Sequence, residues 1–286
     1  MFFLTKLKKI LKKKKHITFI QFNEDLNFLR KAFDKEDLFC IDTEFDWRTT
    51  YLPKLSLVQV GFRNEIFIID CLKVNPENIL KLPLENSNHL KIFHSVRSDT
   101  TVLKNCLEID SRNVFDIQVA EKNMNHGVVK SYAKLVSKYI GKYLDKSETN
   151  SNWLKRPLDQ NQVKYAANDV DYLLDIFYLQ KSILKKKGLL NKVLAESENE
   201  AKLGNQDIKA ARLKKQKRKL NSRQKQIFLW REETARLENI PPSFLFKDKH
   251  LILLSNLNKD EKNLESKVLK ILGDTKWSKN FVSNFF

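Results

Sequence analysis

The 286-residue chain is 42% hydrophobic and 31% charged, which excludes a disordered or collagen-like chain and suffices for one large core plus a small one. No apolar run is long enough to span a bilayer, and the three cysteines lack any CxxC spacing, which excludes a zinc or disulfide framework and points to a reducing compartment, so the cytoplasm is expected and a membrane partner is not. Of the formal charge of +18, residues 1–16 carry +7 and residues 201–225 carry +9, so two basic segments flank a nearly neutral body; they suit a polyanion such as nucleic acid, or else serve as solvated solubility tails.

In chain order, residues 1–16 place Phe3, Leu4, Leu7 and Leu11 at helical spacing among lysines, either as a basic amphipathic helix or as a frayed arm. Ile17–Ile20 predicts a short strand, and Asn23 to Phe33 a helix with Asn23 as its N-cap. Leu38–Ile41 and Leu55–Phe62 predict buried strands, the latter in a hairpin with Glu65–Asp70 across Arg63-Asn64. Asp42 and Glu44 follow the first of these runs. Side chains two apart on a strand share a face, so the two carboxylates sit together and repel. Either the strand ends there and both are solvated, or a cation lies between them.

A strand over 88–93 leads to His94–Asp99, after which Val102, Leu103, Cys106 and Leu107 fall on one helical face. Residues 113–118 end a further strand. Helices are expected around Ser131–Tyr139 and over Gln160–Lys187, the latter opened by a capping box of Asp159 with Gln162 and stopped at Gly188. Tyr165 and Asp169, four apart, share a face of that helix, as many exposed pairs do. Strands alternating with helices imply a mixed sheet covered by helices. Residues 196–220 are polar and basic and are read as a linker, either irregular or in part helical. Residues 221–286 regain apolar periodicity, interrupted at Pro241-Pro242, and predict a small all-helical domain.

Together these pieces resemble a known family. DTEF at 42–45 is similar to the first motif of the DEDD 3'→5' exonucleases, and TYLPKLSLVQV at 50–60 to the segment after it in ribonuclease D. His94–Asp99 resembles the second motif, with Val96-Arg97-Ser98 where relatives carry small residues. LDKSETNSNWLKRPLDQNQVKYAANDVDYLL at 144–174 resembles ribonuclease D throughout and contains the third motif in its Tyr-x-x-x-Asp form, Tyr165 and Asp169. Residues 221–286 resemble the helical HRDC domain that follows the nuclease in that family, in a single short copy.

The resemblance implies an α/β, ribonuclease H-like mixed sheet flanked by helices and followed by a small all-α HRDC-like domain. The expected layout is a basic arm at 1–16, an exonuclease domain at 17–195, a linker at 196–220 and the helical domain at 221–286. It implies Asp42, Glu44, Asp99 and Asp169 as ligands of two divalent ions, Mg²⁺ or Mn²⁺, for which hard oxygen donors suit. Such an ion pair clamps a phosphodiester, while Tyr165, with an ordinary pKa of ~10, orients the attacking water rather than removing its proton. The implied activity is 3'→5' exoribonuclease release of 5'-mononucleotides from RNA with a free 3'-OH, in tRNA-precursor maturation, by a monomer. The alternatives are a DNA 3'→5' exonuclease and an inactive nucleic-acid-binding module. His94 is read as structural, and Asp116 as a strand-end acid outside the ligand set, where it could support the ligands from behind. Arg48, Arg97 and Arg156 are phosphate contacts or surface charge, and Phe45, Trp47 and Trp153 are base-stacking or core.

Overall fold

Six short apolar segments pair into one mixed sheet in the computed structural model, which describes residues 15–145, 147–216 and 220–286. Of the basic arm expected over 1–16, residues 1–14 lie outside the described residues. The order is β1 (His16–Ile20), α1 (Leu26–Phe33), β2 (Leu38–Asp46), β3 (Lys54–Gly61), β4 (Glu65–Asp70), α2 (Glu77–Glu85), β5 (Leu90–Phe93), α3 (Val96–Leu107), β6 (Val114–Asp116), α4 (Ile117–Met124), α5 (Tyr132–Ile140), α6 (Gln160–Asp171), α7 (Leu173–Lys186) and α8 (Leu190–Gly204). There follow α9 (Ile208–Lys214), α10 (Ser222–Leu237), α11 (Pro242–Leu245), α12 (His250–Ser255), α13 (Leu264–Leu272) and α14 (Thr275–Phe285).

The strands lie in the order β1-β4-β3-β2-β5-β6. The β2–β3–β4 meander is antiparallel, as its short connections require, while β1, β5 and β6 join it in parallel. One face packs on α1, α2 and α3 through Phe39, Ile41, Val58, Val60, Leu103 and their neighbours. The other packs on α4 to α7 through Cys40, Leu57, Ile68, Val170 and Phe177. Both faces being covered explains why β3 reads as a nearly continuous apolar run rather than an alternating one. Gly61 permits the close approach of α6: a Cβ there would lie 3.1 Å from the Val170 Cβ and carbonyl oxygen.

Three expectations are corrected. The single helix predicted over Gln160–Lys187 is two, broken at Tyr172. The capping box of Asp159 with Gln162 opens the first as expected. The break has a specific cause: the Tyr132 hydroxyl donates to the Asn168 carbonyl at 3.1 Å and accepts from the Tyr172 amide at 3.2 Å. A side chain from α5 thereby occupies one rung of the helical ladder, which kinks a helix. Asn23, expected as an N-cap, instead begins a 3-10 turn, Asn23–Asp25, without a side-chain cap.

The third correction concerns residues 196–220, of which more is helical than a part-helical linker implies. They do not form a linker throughout: residues 196–204 complete α8, and Ile208–Lys214 forms α9. Ser197 and Ala201 are fully buried. A Cβ at Gly204 would come within 2.5 Å of the Arg97 carbonyl oxygen on α3. Small residues at positions 197, 201 and 204 recur along one helical face and admit close packing without any large apolar side chain.

The chain divides into two units, Met1–Asp46 with Lys54–Gln206, and Trp47–Pro53 with Asp207–Phe286. The second is helical around Ile227, Phe228, Leu254, Val268 and Phe281. It includes the connection between β2 and β3. There Tyr51, 3% exposed, donates its hydroxyl to Glu232 at 3.2 Å, and the Trp47 indole donates to the Tyr51 carbonyl at 2.9 Å. The Arg212 guanidinium lies over the Tyr51 ring at 4.7 Å and pairs with Glu232 at 3.0 Å.

In the first unit, the stretch before α6 is fastened to the sheet by Arg156. Its guanidinium grips both oxygens of Asp70 at 2.7 Å and donates to the Trp153 carbonyl at 2.7 Å. Asp70 is fully buried and the Arg156 side chain only 18% exposed, so neither charge has water as an alternative. Removing one partner strands the other. Arg156→Met is expected to lower unfolding stability in urea by about 3–5 kcal/mol, and a change under ~1 kcal/mol would show the pair to be dispensable.

Candidate active site

β2 carries the first two acids, and the alternation of a strand puts Asp42 and Glu44 on the face that packs on α6. β5 pairs only with Leu38–Cys40, so β2 runs on past its neighbour and its acidic end borders an opening in the sheet. A bulge between Glu44 and Phe45 turns the strand further there. Asp169 is brought to the same place by α6, lying next to Val170, which Gly61 admits. One carboxylate oxygen from each of Asp42, Glu44 and Asp169 lies within 4.8 Å of the others.

Asp99, on the first turns of α3, is 4% exposed and stands outside that triplet. It is joined to it through Thr43, whose hydroxyl donates to the Asp99 carboxylate at 2.7 Å. Thr43 points to the α3 face while its neighbours Asp42 and Glu44 point to the α6 face.

The electrostatics follow from crowding like charges away from water. Burial pushes Asp42 up to about 7. Burial, and then the charges of Asp42, Asp169 and Asp99, push Glu44 up to about 10. Asp99 and Asp169 are raised in the same way, burial first and Asp42 next. Each acid resists ionising for want of a counter-charge. Gln59, directly opposite Asp42 on β3, is fully buried with both side-chain amide atoms unpartnered among the described residues. All-oxygen carboxylates beside an open amide, with no histidine or cysteine among them, fit hard divalent ions such as Mg²⁺ or Mn²⁺, which keep part of their hydration.

Tyr165 lies one turn before Asp169 on α6, its ring 5.9 Å from the Trp153 ring and its hydroxyl 3.3 Å from the Thr149 hydroxyl. Burial and the Asp169 charge push its hydroxyl up to about 12, so it keeps its proton. Burial holds His94 below the ordinary histidine range, and its Nε2 lies 3.1 Å from the Lys130 carbonyl and 3.2 Å from the Gln118 amide nitrogen. It is a neutral, engaged side chain. Trp153 is 4% exposed and belongs to the core, and Phe45 packs against the core of the opposite face. Arg156 is committed to Asp70, and Arg97 donates to Glu200 at 2.7 Å. Thr43, Gln59 and Thr149 lie inside the stretches that carry the resemblance, but only the fold shows where their side chains stand.

A mixed sheet with carboxylates gathered at the open end of its central strand is the arrangement of a metal-dependent nuclease fold. Residues 17–186 match the 3'-5' exonuclease family, and the chain belongs to that family. Within it the chain is similar to ribonuclease D: it is 32% identical to that of Shewanella sp. (strain ANA-3) over 84% of this chain and 65% of the relative. The corresponding figures for that of Desulfotalea psychrophila are 33%, 82% and 65%. The chain thus spans just under two thirds of the length of these relatives. Among solved structures the fold is shared with Escherichia coli RNase D, an exoribonuclease involved in structured RNA processing (TM-score 0.81, 24% identity, 94% of this chain and 75% of that one). It is shared also with the catalytic core of RRP6 from Trypanosoma brucei (TM-score 0.69, 24% identity, 96% and 81%). The T. brucei RNase D complex with RNA U12 has it too (TM-score 0.61, 19% identity, 71% and 75%).

Proposed function

We propose that the protein is a 3'→5' exoribonuclease that releases 5'-mononucleotides from RNA with a free 3'-OH end, tRNA precursors being its substrates, and that it works as a monomer. The observation that carries this reading is the meeting of Asp42, Glu44 and Asp169 within 4.8 Å, with Asp99 beside them. The four acids would hold two divalent ions. When bound, such ions neutralise the carboxylates, lower the pKa of water and offset charge on a phosphodiester in the transition state. Tyr165, being protonated, orients the attacking water by hydrogen bonding and leaves its deprotonation to the metal site. Thr149 sets the direction of the Tyr165 hydroxyl. The 3'-terminal hydroxyl is read by Glu44 and nearby backbone. The cytoplasm suits the three free cysteines, Cys40, Cys71 and Cys106. No helix among the described residues is long and apolar enough to cross a membrane. The residues at 221–286 would act as a short HRDC-like domain.

The test presents all-ribose and all-deoxy oligonucleotides of one sequence, each with a free 3'-OH, in millimolar Mg²⁺. Mononucleotides are expected stepwise from the ribose strand, and at a rate at least about tenfold lower from the deoxy strand, a loss of ~1.4 kcal/mol in discrimination. Equal rates would make the protein an exonuclease indifferent to the sugar. Degradation of the deoxy strand alone would make it a DNA exonuclease, and binding without release from either would leave the inactive module.

A further inference from the structure

Asp116 ends β6 and is 2% exposed, yet it belongs to no part of the carboxylate triplet. Its side chain is the most heavily bonded acid of the sheet. Oδ1 accepts the Ser95 amide at 3.0 Å and the Gln118 amide at 2.7 Å, and Oδ2 accepts the Val96 amide at 2.9 Å. The first and last of these are the amides at which the chain leaves β5 and enters α3. Ser95 there adopts the left-handed conformation, φ 64° and ψ 52°, which costs a non-glycine residue energy and persists where surroundings enforce it. Asp116 is that enforcement. One turn on along α3 stands Asp99.

The support is layered. The Asp116 amide donates to the Ser197 hydroxyl of α8 at 3.0 Å. α8 presses on α3 where Gly204 meets Thr100 and the Arg97 carbonyl, and Arg97 donates to Glu200. The whole of α8 lies beyond the residues that match the exonuclease family, which end at 186. α3 is thus fixed at its start by Asp116 and along its back by α8, and Asp99 projects forward to Thr43.

We propose that Asp116 is a positioning residue: by holding the Ser95 and Val96 amides, and being held by Ser197, it sets where the Asp99 carboxylate stands and so the affinity of the acidic cluster for divalent cations. This rests on the metal-site reading above. Groups that orient ligands from behind typically change metal affinity 10–100-fold when replaced.

The experiment titrates parent, Asp116→Asn, Ser197→Ala and Leu84→Ala proteins with Mg²⁺ by calorimetry, and measures Mg²⁺-dependent release from a ribo-oligonucleotide alongside. The Mg²⁺ midpoint is expected to rise about tenfold in Asp116→Asn and by less in Ser197→Ala. Leu84→Ala, which only opens a cavity under α2, keeps the parental midpoint while losing stability. An unchanged midpoint in folded Asp116→Asn overturns the proposal, as does an equal shift in Leu84→Ala. If Asp116→Asn does not fold by circular dichroism, Ser197→Ala decides, and an unchanged midpoint overturns. These shifts in the variants beside a parent that binds Mg²⁺ but releases no nucleotide overturn the exonuclease reading and uphold this one, whereas a parent that binds no Mg²⁺ overturns this one.

Discussion

Asp42→Ala is expected to lower Mg²⁺-dependent mononucleotide release by about a thousandfold, a loss near 4 kcal/mol of transition-state stabilisation. The size follows from where Asp42 stands. It belongs to the triplet whose oxygens lie within 4.8 Å, and its charge acts on all three other acids, raising Glu44, Asp99 and Asp169. Removing it takes away a metal ligand and also relaxes the repulsion that a metal relieves. The variant should therefore still fold and still bind RNA in a gel-shift assay. Without metal it should be at least as stable as the parent. A variant that keeps more than a tenth of the parental rate would show that the cluster is not the seat of hydrolysis.

The second large effect is on stability. In the metal-free protein Asp42 is raised to about 7 from an ordinary 3.8 and Glu44 to about 10 from 4.5, so the folded state holds protons that the unfolded chain has released. Below about pH 4 both states are protonated and the folded state suffers nothing from these groups. As pH rises through 7 and towards 10 the native carboxyls ionise against one another, and their contribution to stability is lost. Divalent cations supply the missing counter-charge, so their benefit grows with pH. At a hundred times its dissociation constant, bound Mg²⁺ adds about 2.7 kcal/mol, or roughly 5–10 °C in Tm for a protein of this size. Calorimetric scans with EDTA and with millimolar Mg²⁺ at pH 5.5 and pH 8 should show the larger shift at pH 8. Equal shifts at both values, or none at either, would count against an assembled metal site.

Much of this site is legible in the residues themselves because it is built on local regularities. Strand alternation alone places Asp42 with Glu44, and a capping box three residues into α6 sets the phase that puts Tyr165 and Asp169 on one face. What escapes a linear reading depends on distant partners. The run from Gln160 to Lys187 has unbroken helical periodicity, and nothing in it announces that Tyr132, 40 residues before Tyr172, will enter its hydrogen-bond ladder. Alternation puts Thr43 on the face opposite Asp42 and Glu44, but nothing near it in sequence announces its bond to Asp99, 56 residues away. Residues 196–204 looked like a linker because they lack large apolar side chains, whereas contact with α3 needs small ones. Asp116 is legible as a strand-end acid that could support the ligands, but only the fold names its partners, the Ser95 and Val96 amides.

The connection Trp47–Pro53 has a topological consequence. The backbone crosses from one unit to the other three times, after Asp46, after Pro53 and after Gln206. The helical unit is therefore not a pendant that can be snipped off at a single peptide bond. Shortening the chain at residue 206 would strip Tyr51 of Glu232 and Arg212 and leave the rings of Trp47 and Tyr51 bare, one and five residues beyond the strand that bears Asp42 and Glu44. A cut that separates the two units must therefore be made at both ends of Trp47–Pro53 as well as after Gln206.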